Sequence, residues 1–283
     1  VLDQFYDVLA EAAPQTSVEH IIVTRPLDLM SPSKQKLLGG LMMLMGKRPK
    51  IKGQDIIDFK DLLAGGTSYG NHRASVDDIC ALQYTGGTTG PSKGVMLTQS
   101  CLTANVAQAL DVISVAPESA RYSVTALPLP LYHIYAFSLC VGVLPALRGH
   151  SVLIPDPRNI PLLIKAIKRS KIQIFCGLNS LFVALLENKD FRRLDFDQLK
   201  MTLSGGMPLM KSVADRWQKV TGCIVSEGYG MTESSPIISM NPPGFERIGT
   251  ARIPIAGTEI KVIDEAGNEQ PVDGVGELCI CGA

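Results

Sequence analysis

The sequence predicts an α/β fold: a mainly parallel sheet with helices on both faces, followed by the start of a second, all-β unit. Three observations carry this reading. Strand-like and helix-like segments alternate through the middle of the chain, and the strands are continuous apolar runs, such as "IQIFCGL" at 172–178. Unbroken apolar strands belong to sheets covered on both faces, where βα units repeat. From about residue 245 only strand and turn patterns remain, with "TEIKVIDEAGNEQPVDGVGELCICG" reading as a hairpin closed at Ala266-Gly267-Asn268.

The elements follow in order. "ICALQY" (79–84) and "GVMLT" (94–98) are short strands on either side of a glycine-rich loop, and Thr98 caps a helix running to about Val112. After "YSVTALPL" come an apolar helix over 133–147 and the strand "SVLIP" (151–155). The helix 160–169 carries Ile160, Leu163, Ile164 and Ile167 on one stripe. Strand 172–178, helix 180–188, strand 199–206, helix 208–221 and strand "CIVSEGYG" complete the alternation. The helix at 208–221 is expected to open at Pro208 and to bury Met210, Val213, Trp217 and Val220.

Composition narrows the function classes. Lys plus Arg and Asp plus Glu number 27 each, so no broad positive field recruits nucleic acid. The seven cysteines are scattered, without a C-x-x-C pair, as expected of a reducing compartment, and neither they nor the four histidines share metal-ligand spacing. Cys279 and Cys281 share one strand face, where small buried side chains are expected. The run "LLGGLMMLMGKRPK" (37–50) is too short to span a bilayer. It reads as a core-packed helix ahead of a basic loop, with a membrane-surface contact as the other possibility.

Chemistry concentrates in three loops. In "YTGGTTGPSKG", Gly86, Gly87, Gly90 and Gly94 permit close backbone approach, Thr85, Thr88, Thr89 and Ser92 add donors, and Lys93 adds a charge. Converging N–H groups and a cation make a phosphate cradle. A flexible hairpin loop is the plainer alternative. The loop fails the P-loop pattern, since Ser92 precedes Lys93 and a strand follows, and its glycine spacing fails the dinucleotide fingerprint. "GTSYG" (66–70) and "GPSKG" match G-x-S-x-G, but neither joins a strand to a helix as a nucleophile elbow must. "LSGGMP" (203–208) and "EGYGMTES" (227–234) end successive strands. Tyr229, between two glycines, is free to stack on a flat base, while Thr232 and Glu233 offer oxygens to a hard cation. Three such loops on strand ends point to one shared nucleotide site.

With these loops, "LPLYHIYAF" and "GELCICG" in the same order, the sequence resembles the adenylate-forming acyl-CoA synthetases, most closely the bacterial long-chain fatty acid–CoA ligases. The resemblance implies activation of a fatty acid by ATP to acyl-AMP and pyrophosphate, with Mg²⁺, followed by transfer to coenzyme A as co-substrate. Thr85, Gly86, Gly87, Thr88, Thr89, Gly90 and Lys93 would hold phosphate, and Thr85 and Glu233 would ligate Mg²⁺. Gly205, Gly206, Met207 and Pro208 would lie on one side of adenine, and Glu227, Gly228, Tyr229, Gly230, Met231 and Thr232 on the other. Lys93, His133, Thr232 and Glu233 would be the catalytic set, with Tyr135 or Phe137 bordering the acyl tunnel. For His133 a plain helix cap after Pro130 is the alternative role.

Two departures from the family pattern fall in the loop. Gly86 stands where the family usually has a second Ser or Thr, and the order Pro91-Ser92-Lys93 shifts the rigid residue by one. The resemblance divides the chain into 1–75, the remainder of a first α/β subdomain; 76–244, the nucleotide-binding subdomain; and 245–283, the start of a β-barrel-like subdomain. It places the ribose-binding aspartate and a small C-terminal domain beyond Ala283, so the expectation is an internal fragment that does not turn over alone. It also implies a cytoplasmic protein, peripheral at the inner membrane, and a homodimer. A non-catalytic nucleotide or fatty-acid binder and a ligase for another carboxylic acid are the alternative functions.

Overall fold

A computed structural model describes residues 1–46, 51, 56–66, 70, 73–86, 90–114, 120–250 and 253–282. Two compact units, Val1–Arg73 and Ala74–Ala283, divide the chain.

The first unit contains helix α1 (Tyr6–Ala12), strand β1 (Ile21–Val23), helix α2 (Pro32–Leu44), strand β2 (Ile56–Asp58) and helix α3 (Phe59–Ala64), with β1 and β2 parallel. Arg25 hydrogen-bonds to Asp58 and holds that carboxyl below its usual range against the opposing effect of burial. Asp58 also caps α3 by accepting from the Lys60 N–H.

Helix α2 corrects the expectation of a core-packed helix at 37–50, because it buries no residue. Its apolar side chains occupy opposite faces, and only one face packs. The stripe Gln35, Leu38, Gly39 and Met42 is half-buried, whereas Leu37, Leu41 and Leu44 stand exposed, Leu44 at 87%. Residues 47–50 of that run lie outside the described residues.

The second unit opens with an antiparallel hairpin of β3 (Ile79–Thr85) and β4 (Lys93–Thr98), which pairs Thr85 with Lys93 and forms its own two-stranded sheet. Ser92, inside "GPSKG", donates to the Thr85 carbonyl at 3.0 Å and closes this hairpin. Thr98 then caps helix α4 (Gln99–Ile113) by accepting from the Cys101 N–H at 3.3 Å.

Next come β5 (Val124–Leu127), helix α5 (Ile134–Ser138), a π-helical turn over Leu139–Val143, helix α6 (Leu144–Ala146), β6 (His150–Leu153), α7 (Ile160–Ser170) and β7 (Ile174–Gly177). Helix α8 (Asn179–Glu187), β8 (Met201–Ser204), α9 (Lys211–Thr221), β9 (Val225–Gly230), β10 (Ile237–Met240) and β11 (Ile253–Pro254) follow. The main sheet has seven strands in the order β11-β10-β9-β8-β7-β5-β6. It is parallel from β6 to β9 and antiparallel at β10 and β11, hence mixed, with helices on both faces.

Strand alternation sorts the two cores. Phe175 faces one side, with Leu163 and Ile167 of α7, Phe182 and Leu185 of α8, and Val213 and Trp217 of α9. Ile174 and Cys176 face the other, with Ala109 and Ile113 of α4 and Leu139 and Val143 of the π turn. In the first core the Trp217 ring lies 5.4 Å from Phe175 and 4.7 Å from Phe182, centroid to centroid. Trp217 Nε1 donates to Thr202 Oγ1 at 3.0 Å, so the buried indole N–H is satisfied.

Three further boundaries differ from expectation. Helix α9 begins at Lys211 rather than Pro208, and Met210 is its exposed N-cap instead of a buried stripe residue; Val220 is half-buried. Met210 keeps an extended backbone (φ −74°, ψ 130°) and its N–H donates to Asn179 Oδ1 of α8 at 3.0 Å. In the last segment the turn at Asp264–Asn268 forms, but the strand that pairs with β12 (Glu259–Ile263) is β13 (Glu277–Cys281), and Glu269 makes only a single bridge. On β13 Cys279 is half-buried, whereas Cys281 is exposed.

Candidate active site

A cavity of about 400 Å³ lies where the segments after β3, β5, β8 and β9 converge. Ends of parallel strands are where such sheets leave room for a ligand, because the chain departs there toward helices on opposite faces. Of the sequence-predicted residues, Thr85, Gly86, His133, Gly205, Gly206, Gly228, Tyr229, Gly230, Met231, Thr232 and Glu233 line it. Gly87, Thr88 and Thr89 lie outside the described residues.

Lys93, Gly90, Met207, Pro208 and Glu227 do not line the cavity. Lys93 is exposed on the hairpin, across from Thr85. Met207 and Pro208 point into solvent. Glu227 is engaged elsewhere: its carboxylate accepts from the Gly249 N–H at 2.7 Å, although Ser226, Gly228, Tyr229 and Gly230 around it all reach the cavity.

His133 takes the cap position and also borders the cavity. It is the N-cap of α5, with Nδ1 accepting from the Tyr135 N–H at 3.3 Å, and its ring also borders the cavity beside Gly206. An accepting Nδ1 assigns the ring proton to Nε2, which leaves an N–H donor for a ligand oxygen.

Two glycines are demanded by the backbone. Gly206 has φ +78°, with nothing nearer than His133 Cε1 at 4.0 Å from where a Cβ would sit. At Gly230 a Cβ would lie 2.0 Å from the Pro236 carbonyl oxygen, which accepts from the Met231 N–H at 3.0 Å and so shapes the loop bearing Thr232 and Glu233. Gly206→Ala is expected to cost about 1–2 kcal/mol through its left-handed backbone. Gly230→Ala is expected to cost more, because backbone must move against backbone. Paired denaturant titrations check the order, and a Gly230 variant as stable as Gly206→Ala would contradict it.

Sequence reasoning missed the inner end of the cavity. Ala109 and Ile113 of α4, Leu139 of the π turn and Met240 of β10 form an apolar wall, and Ser138 and Ser204 contribute hydroxyls. The advance signal was the apolar run over 133–147, which contains Leu139 and also reads as core. Tyr135 reaches the cavity, whereas Phe137 does not. Among the described residues the buried Tyr135 Oη and Ser204 Oγ have no nitrogen or oxygen partner. Burial pushes the Tyr135 phenol well above its ordinary value and the neighbouring Cys176 thiol up to about 12, so both are neutral near pH 7.

Helix α4 is tied to the far wall of this cavity through one side chain. Asn105 Nδ2 donates to the Ile237 carbonyl at 2.8 Å, and Asn105 Oδ1 accepts from the Ile237 N–H at 3.1 Å.

The donor set suits Mg²⁺. That ion takes oxygen ligands, and in phosphate-transfer sites it is held by one or two carboxylates together with substrate phosphates. The Thr85 hydroxyl and the Glu233 carboxylate border the same space.

The family model for AMP-binding enzymes matches residues 9–283. A long-chain-fatty-acid–CoA ligase of Salmonella typhimurium is 36% identical over 286 aligned positions, covering 100% of this chain and 51% of the relative. The chain thus spans about half the length of the curated relatives it matches. Among solved structures, a benzoate CoA ligase from Burkholderia xenovorans superposes with a TM-score of 0.78 at 19% identity, over 100% of this chain and 50% of that one. A long-chain-fatty-acid-CoA ligase from Archaeoglobus fulgidus superposes with a TM-score of 0.72 at 23% identity, over 100% and 52%.

Proposed function

Because this chain belongs to the AMP-binding enzyme family, we propose that it forms the nucleotide-binding part of an AMP-forming ligase that joins a long-chain fatty acid to coenzyme A. The observation that carries the reading is the convergence of Thr85, His133, Gly205, Tyr229 and Glu233, from four distant segments, on one cavity with an apolar inner wall. The 36% identity to long-chain-fatty-acid–CoA ligases over the whole chain supports the substrate class.

In this reading ATP lies with its base between the Gly205-Gly206 turn and the Tyr229 ring. Thr85 and Glu233 hold Mg²⁺, which offsets the charge of the phosphates. The fatty-acid carboxylate meets the α-phosphorus near His133, whose Nε2–H donates to oxygen there, and the tail runs along Ile113, Leu139 and Met240. A carboxylate approaching a phosphate meets like-charge repulsion, so positioning and neutralisation supply most of the rate. The measurement is ATP–pyrophosphate exchange by the full-length protein with a series of carboxylic acids. Exchange is expected with long-chain fatty acids; exchange only with aryl or short acids would reassign the substrate, and none with any acid would favour a binding protein.

We also propose that the protein is cytoplasmic, works as a homodimer and touches the inner membrane through α2. Its exposed Leu37, Leu41 and Leu44 lie ahead of the basic residues of "GKRPK" in sequence. Replacing these three leucines with serine is expected to lower co-sedimentation with anionic vesicles. Unchanged sedimentation would remove α2 from the proposal, and a monomeric mass in solution would remove the dimer.

A further inference from the structure

A second cavity, of about 590 Å³, opens at the other end of the same strands. Its walls come from Ile172, just before β7, and Leu199, just before β8, whereas the cavity described above meets β8 at Leu203 and Ser204. At about 3.3 Å per residue, roughly 13–17 Å of strand separates the two.

The cavity is divided by chemistry. Its accessible floor is apolar: Leu194, Phe196 and Leu199, all half-buried, line it above the buried rings of Phe175, Phe191 and Trp217, each no more than 2% exposed. The mouth carries Lys168 from the last turn of α7, Lys171 in the left-handed position that ends that helix, and Arg193 from the turn after α8. Among the described residues none of these three cations has an ion-pair partner. The one acid at the mouth, Asp195, accepts from the Asp197 N–H at 2.9 Å. Three cations against one anion, around an apolar floor, complement a molecule with one anionic head and one apolar tail. A soluble inorganic anion would leave the floor unused, and a neutral hydrocarbon would leave the cations unanswered.

We propose that this cavity binds a free fatty-acid-type carboxylate, with its tail over Leu194, Phe196 and Leu199 and its head among Lys168, Lys171 and Arg193. The site is separate from the nucleotide cavity and takes no part in the chemistry there.

Trp217 is the only tryptophan of the 283 residues, so the floor carries its own reporter. In fluorescence titrations below the critical micelle concentration, ω-bromododecanoate is expected to quench Trp217 saturably, because bromine quenches at short range and the ring lies just beneath the cavity. ω-Bromododecanol, lacking the charge, is expected to bind at least about tenfold more weakly. Lys168→Glu with Arg193→Glu, both at exposed positions, should weaken the carboxylate about tenfold and leave the alcohol unchanged. Glu233→Gln, on the other cavity, should leave the quench intact whether or not the ligase reading holds. Failure to quench, quenching insensitive to the charge reversals, or quenching lost in Glu233→Gln would each overturn the proposal. Displacement of the probe by dodecanoyl-CoA at lower concentration than by dodecanoate would overturn the free acid as the occupant.

Discussion

Glu233→Gln in the full-length protein is expected to lower ATP–pyrophosphate exchange about 10²–10³-fold, the usual cost of removing one group that stabilises charge in a transition state. The carboxylate lies on the short 3-10 turn Thr232–Ser234, held by Ser234 Oγ donating to the Pro236 carbonyl at 2.6 Å and accepting from the Met231 N–H at 3.2 Å. Glutamine keeps the volume of the side chain and most of its reach, so the loop should fold and the loss should fall on charge. A raised Mg²⁺ requirement should accompany the lower rate. Glu227→Gln is the matched control: six residues earlier, its carboxylate serves the Gly249 N–H, and exchange should stay within about twofold. Equal losses in the two variants would take Glu233 out of the metal role.

Trp217→Ala is expected to cost about 3–5 kcal/mol of unfolding free energy, a large part of the 5–15 kcal/mol typical of a domain. The indole is 1% exposed and adjoins three phenylalanine rings, Phe191 among them at 5.4 Å. Its removal opens a cavity between α8, α9 and the sheet, and leaves the buried Thr202 Oγ1 without its donor. Trp217→Phe, which keeps most of the packing, should cost less than half as much. Denaturant titrations of the two variants check the ratio; a cost under about 2 kcal/mol for alanine would show that the aromatic cluster collapses to fill the gap.

Local patterns carried most of the fold. The α7 stripe, the Thr98 cap and the continuous apolar strands are short-range signals, and each corresponds to a formed element. Where reading along the chain went wrong, the deciding partner was distant or missing. Pro208 is a sound helix-start signal, yet Met210, tethered through its N–H to Asn179 Oδ1 31 positions earlier, keeps an extended backbone, and the helix starts only at Lys211. In α2 the apolar residues outnumber the positions on one face, and composition does not say which stripe finds a neighbour. Glu227 was not legible either, since Tyr229, of the same strand parity, borders the cavity and it is the distant Gly249 N–H that takes the Glu227 carboxylate. Nor was the inner wall, because Ile113, Leu139 and Met240 meet only when α4, the π turn and β10 come together, and as single residues they are ordinary core.

The Asn105 amide does for Ile237 what a neighbouring strand would do: it supplies one acceptor and one donor at the spacing of a peptide group. A helix side chain thereby stands in as one further rung of the ladder. Helix α4 starts directly after the Thr85–Lys93 hairpin, and Ile237 directly follows the turn that carries Glu233. The two arms of the cavity mouth, nearly 150 residues apart in sequence at Thr85 and Glu233, are thus anchored to one rigid rod through a single primary amide. Under the proposed function, clamping on a nucleotide would not require each arm to find the other anew, since their roots are already latched.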